Sequence, residues 1–119
     1  MTEPGAAKSR LNADRARALG YLADLERDFA AIVSSASDGA AGGDDEHDPE
    51  GATLAFERQH VAALISQARE QLSAIDAALR KTDSGNYEIC DKCGGQIGAE
   101  RLAARPAALT CVRCAQRRR

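Results

Sequence analysis

Aromatic side chains and long apolar runs are both scarce in this chain. Its 119 residues include no tryptophan, and aromatic residues make up 3% of the total. Alanine, leucine and arginine are common instead, and these residues favour helices. No apolar stretch approaches the roughly 20 residues that a membrane-spanning helix needs. We therefore expect a soluble helical protein with no membrane partner and only a modest core.

The N-terminus lacks the cationic segment and the following apolar run of a secretory signal. We therefore expect the protein to be cytoplasmic. A reducing compartment disfavours disulfide bonds, so other roles are considered first for the cysteines.

Basic residues are missing from the middle of the chain. No lysine or arginine lies between Arg27 and Arg58, whereas eight acidic residues lie there. From residue 90 onward the balance inverts, with seven basic residues against two acidic ones, although the formal net charge of the chain is only −2. We expect the basic region to contact a partner through four arginines, which are Arg101, Arg105, Arg113 and Arg117. The plain alternative is that the C-terminal cations stabilise the end of a helix.

Four cysteines form two C-x2-C pairs separated by 17 residues. They are Cys90, Cys93, Cys111 and Cys114. Two such pairs can point four sulfur atoms at one tetrahedral ion, so the spacing predicts a zinc site. Because four thiolates close the coordination shell, we expect the zinc to be structural. An iron–sulfur cluster or a thiol switch would use the same residues and stays open as an alternative.

Two stretches carry apolar or small residues at alternating steps of four and three, the spacing of a coiled-coil seam. The first covers 11–32 and the second 54–79, and each has an arginine at one seam position. The pattern predicts two long helices over 11–36 and 53–82 that pair antiparallel, because a narrow seam must be buried against another one.

The resulting fold class is all-α, with the following organisation along the chain. Residues 1–10 are expected to be a disordered lead, because they contain glycine and proline and no periodicity. An antiparallel coiled-coil hairpin over 11–84 carries an acidic tip loop over 37–52. A four-cysteine zinc finger with a basic C-terminal helix occupies 85–119.

The residues around the cysteines resemble a known family. The landmarks are Gly85-Asn86-Tyr87-Glu88-Ile89-Cys90-Asp91-Lys92-Cys93-Gly94, Ile97, Arg101-Leu102, Arg105-Pro106-Ala107 and Cys111-Val112-Arg113-Cys114. They are similar to the zinc finger of the DksA/TraR family of bacterial transcription regulators, and the predicted hairpin agrees with that family in architecture.

The resemblance implies a function without catalysis. Members of the family insert their coiled coil through the secondary channel of RNA polymerase, place acidic tip residues near the catalytic centre and modulate initiation, often together with the alarmone ppGpp. We accordingly expect RNA polymerase as the partner, ppGpp as a candidate ligand, no enzyme activity, no sequence-specific DNA binding and a monomeric chain.

The tip motif of the family, D-x-x-D-x-A, fits this chain in two imperfect registers. One register places His47, Glu50 and Ala52 on the three positions, and the other places Asp45, Asp48 and Glu50 there. These five residues are our candidates for the polymerase active-site tip. Such a tip acts through precise positioning near the polymerase active site. The altered motif is therefore compatible with binding to polymerase but with a changed effect on the kinetics of initiation. The plain alternative is a solvated loop in which Asp48 caps the second helix.

Two other functions stay open. A coiled-coil zinc-ribbon adaptor with no polymerase role would suit the seam arginines Arg15 and Arg58 and the altered tip. A nucleic-acid-binding protein would use the arginine tail, although the acidic region would repel phosphate. Catalysis is not expected, because His47 and His60 lack a nucleophile or a partnered carboxylate at a recognisable spacing.

Overall fold

The computed structural model describes residues 4–40 and 49–117, and most of these lie in two long helices. Helix α1 comprises Pro4–Ala40 and helix α2 comprises Pro49–Ser84. Proline opens each helix, where its fixed φ suits the first turn and its missing N–H group is not needed.

Two short helices belong to the C-terminal part of the chain. They are α3 at Ala99–Ala104 and α4 at Val112–Gln116. Within 4–40 and 49–117 no strand is formed, and an isolated antiparallel bridge joins Ile89 to Gln96. The predicted all-α class is therefore confirmed.

Helix α2 ends through a glycine-dependent turn. Gly85 follows the last helical residue with a φ of 81°, a left-handed conformation that glycine adopts at little cost. The N–H group of Asn86 then donates to the carbonyl of Lys81 at 3.1 Å. This bond joins the turn to the last turn of α2, and the helix ends at Ser84, two residues after the predicted end at 82.

The contacts divide the chain into two compact units. The first unit contains the described parts of Met1–Ala18 and Gln71–Arg119, and the second contains those of Leu19–Glu70. The zinc finger shares its unit with one end of each long helix. The units therefore do not follow the predicted division at residue 85.

In the first unit, the two helices run antiparallel. Lys8 pairs with Asp83 at 2.8 Å, and Arg15 pairs with Asp76 at 2.7 Å, so residue numbers rise along one helix as they fall along the other. Helix and finger residues share a single core. Its most buried apolar members are Ala7, Leu11, Ala18, Leu72, Ile75, Ala78, Tyr87, Ile97, Leu102 and Ala108.

In the second unit, the helices also pair, but their shared core is thin. Glu26 accepts a hydrogen bond from Arg69 at 2.9 Å across the pair. Leu25 and Ala68 are buried, whereas Phe29 and Ile65 are only half-buried. A two-helix pair buries one narrow stripe, so its stability depends on few contacts.

The predicted disordered lead over 1–10 is wrong for residues 4–10, which belong to α1. Ala7 lies four residues before Leu11, on the same helix face, and is only 5% exposed. The guanidinium of Arg10 also donates to the carbonyl of Ala103 at 2.8 Å. Contacts with residues far along the chain thus order a segment that has no periodicity of its own.

The predicted tip loop over 37–52 is too long. Helix α1 continues to Ala40 and α2 begins at Pro49, so the ends of that range are helical. Residues 41–48 lie outside the described part of the chain. None of the described helices is long and apolar enough to cross a membrane.

Candidate metal centre

The four cysteine sulfur atoms converge on one point in the first unit. All four Sγ atoms lie within 4.8 Å of one another, and the Sγ atoms of Cys93 and Cys111 are 3.9 Å apart. A tetrahedral zinc ion with Zn–S distances of about 2.3 Å would place its ligands about 3.8 Å apart. A disulfide would instead need about 2.05 Å, and all four cysteines are free.

The first cysteine pair is held by a tight turn of the backbone. Cys90 donates its N–H to the carbonyl of Gly95 at 2.7 Å, and Gly94 donates to the carbonyl of Cys90 at 3.0 Å. Gly94 has a φ of 74°, which explains why glycine stands there. The N–H groups of Lys92 and Gly95 point at the sulfur atoms of Cys90 and Cys93, each at 3.4 Å.

The second cysteine pair lies at the start of α4. Cys111 precedes the helix with extended backbone, and Cys114 lies within it. The N–H of Cys111 points at the sulfur of Cys90 at 3.3 Å. Asp91 donates its N–H to the carbonyl of Leu109 at 2.9 Å. These bonds join the two pairs, although 17 residues separate them in the sequence.

Backbone N–H groups and the other thiols give the cysteines different acidities. The N–H groups of Cys93, Cys111 and Lys92 lower the pKa of Cys90 to about 6. The N–H of Cys114 likewise lowers the pKa of Cys111. The side-chain hydrogen bond to Cys111 raises the pKa of Cys114 to about 12. Metal ions bind thiolates, so the lowered pKa values of Cys90 and Cys111 favour the form that binds zinc. Cys114 must lose its proton when zinc binds.

The donor set and its geometry therefore fit structural zinc. Four sulfur atoms complete a tetrahedral shell, which leaves no position for a substrate or a reactive water. The spacing of the cysteines was enough to predict this group of residues. When bound, zinc would hold the two C-x2-C pairs together, and the chain itself supplies the N–H groups that stabilise the thiolates.

Two further residues support the finger. Tyr87 is buried, and its hydroxyl donates to the carbonyl of Pro106 at 2.7 Å. Burial raises the pKa of Tyr87. Lys81, in the last turn of α2, is 8% exposed and reaches the first cysteine pair. The sequence does not predict a role for Lys81, since a lysine near a helix end is ordinarily a solvated cation.

The other predicted site residues are distributed as follows. Of the tip candidates, Asp45, His47 and Asp48 lie outside the described residues. Glu50 and Ala52 belong to the first turn of α2, and the side chain of Ala52 is exposed. The tip hypothesis therefore stays a prediction.

The predicted basic surface is only partly free for a partner. Arg105, Arg113 and Arg117 are exposed. Arg101 is half-buried, and its Nε donates to the carbonyl of Thr110 at 2.7 Å. Arg101 thus supports the finger itself with part of its guanidinium group.

Together, the helices and the cysteine cluster define a helical protein with a C4 zinc finger. Comparison with known proteins agrees, because residues 85–119 match the family described as the prokaryotic dksA/traR C4-type zinc finger. The solved structure of transcription factor DksA2 from Pseudomonas aeruginosa is similar, with a TM-score of 0.54 and 27% identity. The likeness covers 94% of this chain and 82% of that one.

Two curated relatives are similar over shorter stretches. The RNA polymerase-binding transcription factor DksA of Haemophilus influenzae is 44% identical over 46 residues, or 39% of this chain. The uncharacterized protein YteA of Bacillus subtilis is 39% identical over 66 residues, or 56% of this chain. The matched stretches span only 32% and 28% of the lengths of these two relatives.

The zinc finger of this chain, residues 85–119, belongs to the prokaryotic dksA/traR C4-type zinc-finger family. The finger match, the DksA relatives and the likeness to DksA2 all point to this one family.

Proposed function

We propose that this protein is a non-enzymatic transcription regulator of the DksA type that binds RNA polymerase through the secondary channel and modulates initiation. It would act in the cytoplasm as a monomer without reading DNA sequence, and ppGpp is its candidate co-regulator. The observation that carries the proposal is the likeness to DksA2 over 94% of the chain, combined with the family match of the finger.

The charge of the second unit supports this proposal. Asp28 and Glu57 are exposed and line one groove of the helix pair. Neither forms an ion pair within the described residues. The stretch without lysine or arginine includes both residues and the tip candidates. Negative charge that is not neutralised within its own chain suits a confined site that holds a divalent cation.

The fold weakens one argument for the adaptor alternative. Arg15 interrupts the seam, and a seam arginine can indicate pairing with a second molecule. Here the Nε of Arg15 donates to Asp76 of the same chain at 2.7 Å. The polar position is therefore satisfied within the hairpin.

A competition experiment tests the polymerase interaction. Full-length, zinc-loaded protein should be captured by core RNA polymerase, and a cleavage factor that occupies the secondary channel should displace it. Repeating the capture with and without ppGpp tests the candidate ligand separately. Capture that persists at saturating cleavage factor would place the protein elsewhere on the enzyme, and no capture at all would favour the adaptor.

A second experiment separates tip chemistry from general acidity. The combined variant Asp45→Ala/Asp48→Ala and the single variant Glu50→Ala remove tip candidates. Glu70→Ala removes one exposed carboxylate of α2 that lies outside the tip motif and outside the stretch without lysine or arginine, and it serves as the control. The tip variants should keep polymerase binding and lose regulation in an initiation assay, while the control should keep both. Equal regulation by all four proteins would leave the tip with no role beyond solubility.

A further inference from the structure

Lys81 is a buried charged residue within the described part of the chain. Its side chain is 10% exposed, although lysine in the last turn of a helix usually extends into solvent. Burying an ammonium group is costly unless it is paired and hydrogen-bonded. The groups that bind the Lys81 ammonium therefore indicate what offsets the free-energy cost of burying it.

Both partners of Lys81 flank one metal ligand. Its Nζ donates to the carbonyl of Ile89 and lies 2.9 Å from Oδ1 of Asp91. These residues immediately precede and follow Cys90, which is only 1% exposed. Lys81 thus binds the backbone carbonyl of the residue before Cys90 and the side chain of the residue after it.

The same lysine also takes part in the end of α2. Its carbonyl accepts the N–H of Asn86 at 3.1 Å, the bond that closes the helix-terminating turn. Lys81 therefore contacts both ends of the segment 85–89, which links α2 to Cys90. Its carbonyl binds Asn86 near the start, and its Nζ binds the carbonyl of Ile89 at the end. A change in the position of Cys90 would act directly on the last turn of α2.

We propose that Lys81 is a positioning residue for the zinc centre and couples zinc binding to the last turn of α2. It acts through Ile89 and Asp91, which hold Cys90 where the other three sulfur atoms converge. Groups that orient metal ligands contribute strongly to metal affinity. Coupling between zinc binding and the Lys81 contacts is reciprocal. If these contacts raise the affinity for zinc by a given factor, bound zinc raises the stability of the contacts by the same factor. This inference does not depend on the polymerase hypothesis.

The chain offers a matched control for the charge of Lys81. Lys92 lies inside the first C-x2-C pair and is exposed, and its side chain has no hydrogen bond or ion pair among the described residues. Only its backbone N–H contributes to the metal centre, and a substitution of the side chain retains that group. Lys81→Met and Lys92→Met remove the same charge and keep a similar unbranched stem. If lysine acted only as a nearby positive charge, the two substitutions would have similar effects.

The first measurement is zinc affinity and zinc release from the full-length, zinc-loaded protein, with a chromogenic chelator as competitor. Lys81→Met should weaken zinc binding about tenfold, the lower end of the effect of residues that orient metal ligands. Lys92→Met should stay within about twofold of wild type, since exposed charges contribute little. Equal effects of the two substitutions, or no effect of Lys81→Met, would overturn the proposal.

A second variant keeps the test decisive if Lys81→Met does not fold, which circular dichroism of the zinc-loaded protein would reveal. The side chain of Asp91 is 52% exposed, so Asp91→Asn should fold and lose only the ion pair with Lys81. It should release zinc faster than wild type, in the same direction as Lys81→Met. Unchanged zinc release from Asp91→Asn, together with a misfolded Lys81→Met, would count against a positioning role.

Hydrogen exchange tests the coupling itself. In wild type, removing zinc should raise the exchange rate of the Asn86 amide, because its acceptor is the carbonyl of Lys81. In Lys81→Met, this amide should respond less to zinc, while in Lys92→Met it should respond as in wild type. An identical response in all three proteins would mean that the lysine side chain transmits nothing to α2.

Discussion

Tyr87 shows at the scale of one residue how the finger depends on a buried polar contact. It is 6% exposed, and its hydroxyl donates to the carbonyl of Pro106, 19 residues further on. We expect Tyr87→Phe to lower the free energy of unfolding by about 1 kcal/mol, because a hydrogen bond is lost while the ring still packs. Urea unfolding of the zinc-loaded protein would measure this difference.

The pH dependence of the Tyr87 contribution has a definite sign. Burial raises the pKa of Tyr87 above the ordinary value of 10.0. Its contribution should therefore be fully present below about pH 10 and decline as the pH rises through the raised pKa. The stability gap between wild type and Tyr87→Phe should narrow in alkaline buffer, and a constant gap would contradict this assignment.

The cysteines lead to a second prediction at the residue scale. Since the pKa of Cys90 is lowered to about 6, this thiol is mostly ionised near pH 7 before zinc binds. Zinc binding should then release fewer protons than the number of ligands, and Cys114, whose pKa is raised to about 12, should contribute one of them. Titration calorimetry in buffers of different ionisation enthalpy would count them.

Lowering the pH should change both the proton count and the affinity. Near pH 5, which is below the pKa of Cys90, the metal-free thiol carries its proton, so zinc binding should release more protons and become weaker. A proton count that stays the same between about pH 7.5 and pH 5 would contradict a lowered pKa at Cys90.

At the scale of elements, two glycines allow a matched test of backbone conformation. Gly85 has a φ of 81° at the end of α2, whereas Gly20 lies inside α1. A Cβ atom would meet nothing within 4 Å at either position. Gly85→Ala should lower stability by about 1 kcal/mol, and Gly20→Ala should raise it by about 0.5–1 kcal/mol.

Thermal unfolding followed by circular dichroism would compare the two glycine variants. Because steric contacts do not distinguish the sites, opposite signs would assign the effect to backbone conformation alone. Stabilisation by both alanines would mean that the turn after α2 does not require the left-handed conformation.

The ends of the long helices also show which structural features a few consecutive residues can predict. The end of α2 was predicted at 82 and lies at Ser84, and the difference is small because a glycine turn depends on a few consecutive residues. The start of α1 could not be predicted in this way. Ala7 becomes buried in a core shared with α2 and the finger, and none of these neighbours is close to it in the sequence.

At the scale of the whole molecule, the two units should respond differently to loss of zinc. In the first unit, finger residues such as Ile97 and Leu102 share a core with Leu11 and Ile75. Removing zinc with a chelator should therefore raise hydrogen exchange there, in the finger and in the helix ends that pack with it, by at least about tenfold.

The second unit should keep much of its protection under the same treatment. Its buried residues, which include Leu25 and Ala68, belong to the helix pair itself. Uniform loss of protection across both units would indicate a single cooperative structure. No change in either would contradict a structural role for zinc.

The metal ligands of the candidate site could be predicted from the sequence, but the residue that positions them could not. Four cysteines with this spacing nearly define a zinc site, since the ion itself dictates ligand type, number and separation. Lys81 could not be found by the same reasoning. Its burial arises only because Ile89 and Asp91 fold back against the last turn of α2.

The sequence by itself determined the helical class, the antiparallel seams, the end of α2 to within two residues and the residues that can bind zinc. These features depend on periodicity, on turns of a few residues or on coordination chemistry, all of which can be read along the chain. Only the tertiary structure decided that Ala7 is ordered, that Lys81 is buried and that the finger shares a core with the helix ends. Burial is a property of neighbours in space, and those neighbours come from segments that are far apart in sequence.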